Sequence, residues 1–129
     1  MVSRTVRAAA LLAALGTSVA TAAPCALPAG KQVVLKSVEI DPDVFVWDSK
    51  QRVVDYAAGS WRSTREVLVH TVLAKPGTRA MIVQCDAGIV RQKYVSDTLD
   101  AVGIRLLDGP NRGHYGWVTS QDVRPPTHT

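Results

Sequence analysis

Short apolar runs rich in Val and Ile constrain the fold of this chain more than any other feature. From residue 23 to the end there are 16 Val and 4 Ile against 7 Leu. β-Branched side chains pack well on a pleated sheet, and Gly, Pro, Asp and Asn separate these runs at strand-length intervals. The pattern predicts an all-β domain. The predicted strands are residues 33–39, 44–47, 52–57, 66–73, 79–84, 89–93, 102–107 and 115–119.

The segments between the predicted strands have the chemistry of turns. Residues 48–50 are typical of a hairpin turn and residues 75–77 of a tight turn. Residues 108–113 predict a longer loop, because their glycines tolerate positive φ. A single helical turn is predicted within residues 95–101, where a Ser is available as N-cap, and a 3₁₀ turn at residues 120–122.

Residues 1–22 have the pattern of a secretory signal peptide. Two arginines, Arg4 and Arg7, precede an apolar stretch at residues 8–20, and Ala20-Thr21-Ala22 has the small-x-small form of a cleavage site. The alternative interpretation is an amphipathic N-terminal helix of a cytosolic protein. A bacterial lipobox needs a small residue before its Cys, and Pro24 occupies that position here, so lipidation is not expected.

The length of 129 residues is that of one ordinary domain. We assign residues 23–124 to this domain and residues 125–129 to a disordered tail. Without the leader, 13 Lys and Arg stand against 11 Asp and Glu, with no run of like charges. A solvated surface accounts for this distribution, so no nucleic-acid partner is predicted. No stretch has the roughly 20 apolar residues that cross a bilayer, so no membrane span is predicted either.

Two cysteines in an exported chain predict one disulfide. Cys25 and Cys85 are the only cysteines, and an even count in an oxidising compartment favours a bridge between them. The alternatives are that Cys85 is a catalytic nucleophile or that the pair holds a metal. A metal needs more ligands than two Cys and three scattered His supply with a known spacing, so no metal or cofactor is predicted.

Two segments of the C-terminal half resemble bacterial SH3-like domains. Residues 75–83, Lys-Pro-Gly-Thr-Arg-Ala-Met-Ile-Val, are similar to the Gly-Thr entry into an early barrel strand of that family. Residues 102–110, 113–118 and 122–124 are similar to its closing hairpin, Gly-Trp-Val strand and last strand. The match covers about residues 67–124. It implies a small SH3-like barrel, to which residues 31–66 add an N-terminal β-hairpin or extra strands.

The resemblance also implies a class of function. Exported SH3-like domains are associated with peptidoglycan or protein partners of the cell envelope. We therefore expect a binding module that is periplasmic or secreted and contacts cell-wall glycan or peptide, or an envelope protein. SH3 domains that bind Pro-rich peptides carry a Tyr-rich motif early in the barrel, and none precedes Lys75, so that specificity is not carried over.

Motifs of known catalytic chemistry are not found in the sequence. Residues 58–61 do not form a G-x-S-x-G nucleophile elbow, and His70 lies in an alternating run typical of a strand face. Asp41 and Asp43 flank a Pro without the further acidic ligands of a calcium loop. The sequence therefore predicts a non-enzymatic protein. The alternative is a small envelope enzyme or enzyme inhibitor whose site the sequence does not reveal.

The aromatic residues divide into a predicted core and a candidate binding surface. Trp117 and Val118 are assigned to the core, together with Gly116, which suits a sharp strand corner beside a bulky side chain. Phe45 and Trp47 are also expected to pack in the core. Exposed aromatics on loops often mark contacts with sugars or peptides. The candidate binding surface consists of Trp61, Tyr94 and Tyr115.

Overall fold

A computed structural model describes residues 25–37 and 42–126 of the chain. Seven antiparallel strands form one sheet, curled into a half-barrel, in the order β3-β2-β6-β5-β4-β1-β7. The all-β prediction is confirmed in this coarse form. The strands are β1 Gln32–Leu35, β2 Val44–Trp47, β3 Thr71–Ala74, β4 Arg79–Arg91, β5 Thr98–Leu106, β6 Tyr115–Thr119 and β7 Val123–Arg124. The helices are α1 Lys50–Ala57, α2 Thr64–Val69 and a 3₁₀ helix Ser120–Asp122.

Residues 31–66 contribute strands β1 and β2 to the sheet rather than a separate hairpin. Strand β1 pairs with β4 and β7, whereas β2 pairs with β3 and β6. The two strands are therefore neighbours in sequence but not in the sheet. The leader predicted at residues 1–22 lies outside the described residues, as does part of the predicted tail, residues 127–129.

The long strand β4 replaces two predicted strands, residues 79–84 and 89–93. Its pairing with β5 shifts register between Ile82 and Gln84 and again between Asp86 and Val90. Such bulges bend a strand without ending it. The intervening Asp-Ala-Gly sequence therefore marks an irregular stretch of one strand and not a turn between two.

The strand predicted at residues 52–57 is wrong, because this segment forms helix α1. Ser49 caps the helix, and its Oγ accepts a hydrogen bond from the backbone N–H of Arg52 at 3.3 Å. The same contact excludes the hairpin turn predicted at residues 48–50. The amide of Gln51 donates to Asp55 one turn later at 2.8 Å, which supports the helix further. Capping and the burial of Val53 thus override the strand preference of the Val residues.

The strand predicted at residues 66–73 is wrong in its first half for the same reason. Ser63 caps α2, its Oγ accepting from the backbone N–H of Glu66 at 3.2 Å, and β3 begins only at Thr71. The helical turn predicted within residues 95–101 is also wrong, because β5 already begins at Thr98. By contrast, the predictions of β2, β6, the 3₁₀ helix and the turn before β4 are confirmed.

Two hydrophobic clusters lie on opposite faces of the sheet. The inner cluster is aliphatic and takes buried residues from all seven strands, among them Leu35, Ile82 and Ile104. The outer cluster joins the other face of the sheet to the two helices. Its buried members are Trp47, Val53, Val67, Val90 and Ala101.

Strand β6 contributes to both clusters. Val118 is buried in the inner cluster, whereas Trp117 is half-buried on the opposite face and packs against the outer cluster. The Trp117 ring covers Gly103 of β5, and the ammonium of Lys50 lies 5.5 Å from the ring centroid. Gly116 is buried because β2 approaches it closely. A Cβ at this position would collide with the Val46 side chain and lie 2.9 Å from the carbonyl oxygen of Trp47.

A disulfide joins Cys25 to Cys85, as predicted, with their Cα atoms 6.1 Å apart. It ties the segment before β1 to the middle of β4, a separation of 60 residues. Disulfides of this kind are typical of oxidising compartments. No helix within the described residues is long and apolar enough to span a membrane.

Candidate functional site

An open cleft of about 480 Å³ lies on the outer side of the sheet, which is within the usual size range of small-molecule sites. It is formed by the end of α1 and the following loop, the β4–β5 loop, the start of β2 and the 3₁₀ helix. We call it the aromatic groove. Its aromatic lining residues are Phe45, Trp47, Tyr56, Trp61 and Tyr94, and its polar ones are Ser37, Asp43, Gln92, Lys93, Thr119, Gln121 and Asp122.

Tyr56 is the centre of the aromatic lining. Its ring centroid lies 5.0 Å from that of Trp47, 5.7 Å from that of Trp61 and 5.9 Å from that of Phe45. The rings of Trp47 and Trp61 are tilted by 42° and 32° from that of Tyr56. Separations of this size are favourable for aromatic pairs. Four rings from β2, α1 and the following loop therefore form a continuous wall.

The end of α1 places Trp61 on this wall. The chain leaves the helix at Gly59, whose φ of +81° is a conformation that other residues rarely adopt. The backbone N–H of Gly59 donates to the carbonyl of Tyr56, and that of Ser60 donates to the carbonyl of Asp55. These bonds reverse the chain, so that Trp61 returns onto the ring of Tyr56.

The β4–β5 loop forms the other side of the groove. The backbone N–H of Lys93 donates to the carbonyl of Ala57 at 3.2 Å, which ties this loop to the end of α1. The ammonium of Lys93 lies 5.3 Å from the ring centroid of Tyr94. Tyr94 itself is 87% exposed. A large aromatic ring beside a cation is thus held in solvent at the mouth of the groove.

The two acidic residues of the groove have partners within the protein. The carboxylate of Asp43 lies 3.5 Å from the ammonium of Lys75. Asp122 closes the 3₁₀ helix, accepting hydrogen bonds from the backbone N–H and the hydroxyl of Thr119, both at 2.9 Å. Both carboxylates therefore have a structural role at the rim.

The structure brings together two of the three residues of the predicted binding surface. Trp61, 44% exposed, and Tyr94 both line the groove. Tyr115, 62% exposed, does not line it and lies on β6, with its ring centroid 6.0 Å from the guanidinium carbon of Arg105.

Sequence reasoning missed the contribution of Phe45, Trp47 and Tyr56 to the groove. Phe45 and Trp47 were expected in the core, but they also line the cleft, because the outer cluster is open on one side. The signal for Tyr56 is present in the sequence. It follows Val53 by three residues, a spacing that places both on one helix face once α1 is recognised.

Several other charged pairs between described residues lie outside the groove. The Nδ1 atom of His70 lies 2.7 Å from a carboxylate oxygen of Asp48. The guanidinium of Arg79 donates two hydrogen bonds to Asp108, at 2.9 and 2.7 Å, and lowers the pKa of that carboxyl to about 2. A hydrogen bond from Lys50 lowers the pKa of Asp86. These pairs tie loops and helices to the sheet.

One group of potential metal ligands is found in the described part of the chain. It consists of Cys25, Cys85 and Asp100, whose ligand atoms lie within 4.8 Å of one another. The two sulfur atoms form the disulfide, so Asp100 alone could coordinate an ion. This group does not fit a metal centre.

Comparison of this chain with protein-family models, with curated protein sequences and with solved structures finds no match. Its function is therefore inferred from the geometry described above.

Proposed function

We propose that this chain is a non-enzymatic, exported binding module of the cell envelope that holds the glycan of peptidoglycan in the aromatic groove. The observation that carries the proposal is the wall of Phe45, Trp47, Tyr56 and Trp61, extended by the solvent-exposed ring of Tyr94. Trp61 and Tyr94 are the exposed members of this lining, and exposed apolar side chains beside a cleft mark interaction sites on soluble proteins.

A sugar suits the chemistry of this groove. A pyranose ring has an apolar face of C–H groups, which packs on aromatic rings, and hydroxyls at its edge, which need hydrogen-bond partners. The groove offers both. Aromatic side chains form its wall, and Gln92 and Gln121 are among the polar residues that line it.

An extended peptide is the other ligand to consider, and it would bind by main-chain pairing rather than through the aromatic side chains. Peptides that add a strand to a sheet bind to unpaired backbone groups. Strand β2 pairs with β3 along its whole length but with β6 only at Trp47, and β5 pairs with β6 only from Ala101 to Arg105. The aromatic lining favours recognition by side chains, so a glycan is preferred over a peptide that would pair with the ends of these strands.

Export and the SH3-like fold are parts of the same proposal. The signal-peptide pattern of residues 1–22 supports export, and the disulfide between Cys25 and Cys85 is consistent with it. The Gly-Trp-Val strand β6, the 3₁₀ helix and the short last strand β7 follow one another as in SH3-like barrels.

A small envelope enzyme or enzyme inhibitor is the alternative. His70 and Asp48 form a pair that an enzyme could use, but it lies away from the groove lining, so it gives a bound glycan no general base. The alternative predicts that the protein releases soluble muropeptides from sacculi or inhibits another enzyme that does.

Co-sedimentation with purified sacculi tests the proposal. We expect the protein to sediment with sacculi and to release no muropeptides. Trp61→Ala and Tyr94→Ala should each lower the affinity for sacculi about tenfold, since each removes a ring that contributes about 1–2 kcal/mol to the binding free energy. Tyr115→Ala is the matched control, an exposed tyrosine outside the groove, and should bind normally.

Each possible result has a clear consequence. If Tyr115→Ala loses as much affinity for sacculi as Trp61→Ala and Tyr94→Ala, the groove is not the binding surface. Absence of sedimentation would overturn the proposed function, and release of muropeptides would favour the enzyme.

A further inference from the structure

Among the described residues that line the aromatic groove, Lys93 is the one with a positive charge, and this charge points to the chemistry of the ligand. We propose, on the basis of the proposed function, that the groove selects a saccharide that bears a carboxylate, with the carboxylate bound by the ammonium of Lys93. The sugar ring would then pack on the neighbouring wall formed by Tyr56 and Trp61.

The charge of Lys93 is not balanced within the described part of the protein. Lys50, Lys75 and Arg79 each lie against a carboxylate, whereas the described residues include no ion-pair partner for Lys93. The described acids of the groove, Asp43 and Asp122, are engaged with Lys75 and Thr119. An anionic ligand would supply the counter-charge that the described lining lacks.

The backbone at the end of α1 makes room for the Lys93 side chain. A Cβ at Gly59 would lie 2.9 Å from Cδ of Lys93, so the absence of a side chain there lets the lysine stem pass close to the loop. The ammonium reaches the face of the Tyr94 ring, where cation–π attraction holds it. This attraction leaves the N–H groups of the ammonium available as donors to a carboxylate.

An aromatic wall beside a cation distinguishes an acidic sugar from a neutral one. A neutral pyranose would use the aromatic wall but leave Lys93 without a counter-charge. A small carboxylic acid would pair with Lys93 but leave the wall uncovered. An acidic saccharide satisfies both features at once. Cell-wall glycan from which the stem peptides have been removed carries such a group, because the lactyl carboxylate of N-acetylmuramic acid is then free.

The test compares two probes that differ only in this charge. The first is a peptide-free tetrasaccharide of alternating N-acetylglucosamine and N-acetylmuramic acid. The second is the same tetrasaccharide with its carboxylates converted to amides. In titrations followed by calorimetry, we expect the acid to bind about fivefold more tightly than the amide. This ratio corresponds to the upper limit of the free energy that an exposed ion pair contributes. The ratio should fall as the ionic strength rises.

Variants then assign the effect to Lys93. In Lys93→Gln the two probes should bind with equal affinity, and in Lys93→Arg a preference for the acid should remain. Lys31→Gln is the matched control, an exposed lysine that does not line the groove, and should keep the full ratio. A preference that survives in Lys93→Gln would overturn the assignment to Lys93.

Failure of this inference is distinguishable from failure of the proposed function. If the unmodified protein binds sacculi and both probes equally, selection for the acid is wrong and the glycan-binding module stands. If it binds sacculi but neither probe, a peptide-bearing part of the wall is recognised, and the acidic-saccharide inference is wrong. If it binds neither sacculi nor probes, both proposals fall.

Discussion

On the inner face of the curled sheet, all seven strands place aliphatic side chains into one closed cluster, whereas on the outer face two helices cover a smaller, partly aromatic cluster. The inner cluster contains residues such as Leu35 and Ile104 that solvent barely reaches. The outer cluster is continuous with the wall of the aromatic groove, where Tyr56 and Trp61 meet solvent. The same sheet thus separates the residues that hold the fold from those available to a ligand.

This difference follows from how each face is closed. The curl of the sheet brings the inner residues of distant strands together, so no further element is needed to bury them. On the outer face, α1 and α2 are short and cover only part of the surface. Mutations on the two faces should therefore differ in what they damage.

The largest expected effect is on the inner face. Ile104→Ala should lower the free energy of unfolding by about 2–5 kcal/mol, since it leaves a cavity in a fully packed cluster. Leu99→Ala is the matched control, an isomeric side chain on the same strand that is half-buried in the groove lining. Its loss of stability should be clearly smaller. Denaturant unfolding of both variants makes the comparison, and equal losses would contradict the distinction between the two faces.

The disulfide closes the inner cluster at the end where the chain enters the sheet. Cys85 and Leu27 pack against this cluster, so the bridge fastens the segment before β1 to its edge. Cys25→Ser should lower the free energy of unfolding by about 2–4 kcal/mol.

Glycan binding measured below the melting temperature should change little in this variant, because neither cysteine lines the groove. Alkylation of the denatured wild-type protein without reductant is the control and should label no thiol. Loss of binding in the folded Cys25→Ser variant would show that the two faces are coupled.

The smallest expected effect comes from the ion pair between Arg79 and Asp108, which lies outside both clusters. Hydrogen bonds from Arg79 lower the pKa of Asp108 from 3.8 to about 2 in the folded protein. The pair should therefore stabilise the fold above pH 4, and this contribution should be lost as the pH falls from about 4 to about 2.

Denaturant midpoints across this pH range measure the effect. They should fall less steeply in Asp108→Asn than in the wild type, and Asp97→Asn, an exposed carboxyl in the β4–β5 loop, serves as control. Superimposable curves for wild type and Asp108→Asn would show that the pair contributes no pH-dependent stability.

The errors in the predicted fold concentrate where local preference and tertiary packing disagree. Val53, Val54 and Val67 favour strands by intrinsic preference, yet they lie in α1 and α2. The N-cap residues Ser49 and Ser63 are visible in the sequence. Capping alone does not stabilise such short helices, however, because most of their stability comes from packing against a face of the sheet. That face is formed by strands far away in the chain.

The candidate site was predicted only in part for a similar reason. Trp61 and Tyr94 were identified because each is a large aromatic in a polar stretch. Tyr115 has the same local character, and the structure places it on a different surface. Local sequence indicates that a ring is exposed, whereas its position relative to the other rings depends on strand order and on the path of the chain after α1.

Sequence reasoning alone was enough to predict the β-rich fold, the cysteine pair, strands β2 and β6 and the 3₁₀ helix between β6 and β7. These features depend on residues close together in the chain or, for the disulfide, on the presence of two cysteines in the sequence. Long-range packing, by contrast, makes two Val-rich segments helical and brings Phe45, Trp47, Tyr56 and Trp61 onto one wall. The physical reason is that burial outweighs local preference, and burial depends on which distant surfaces the fold brings together.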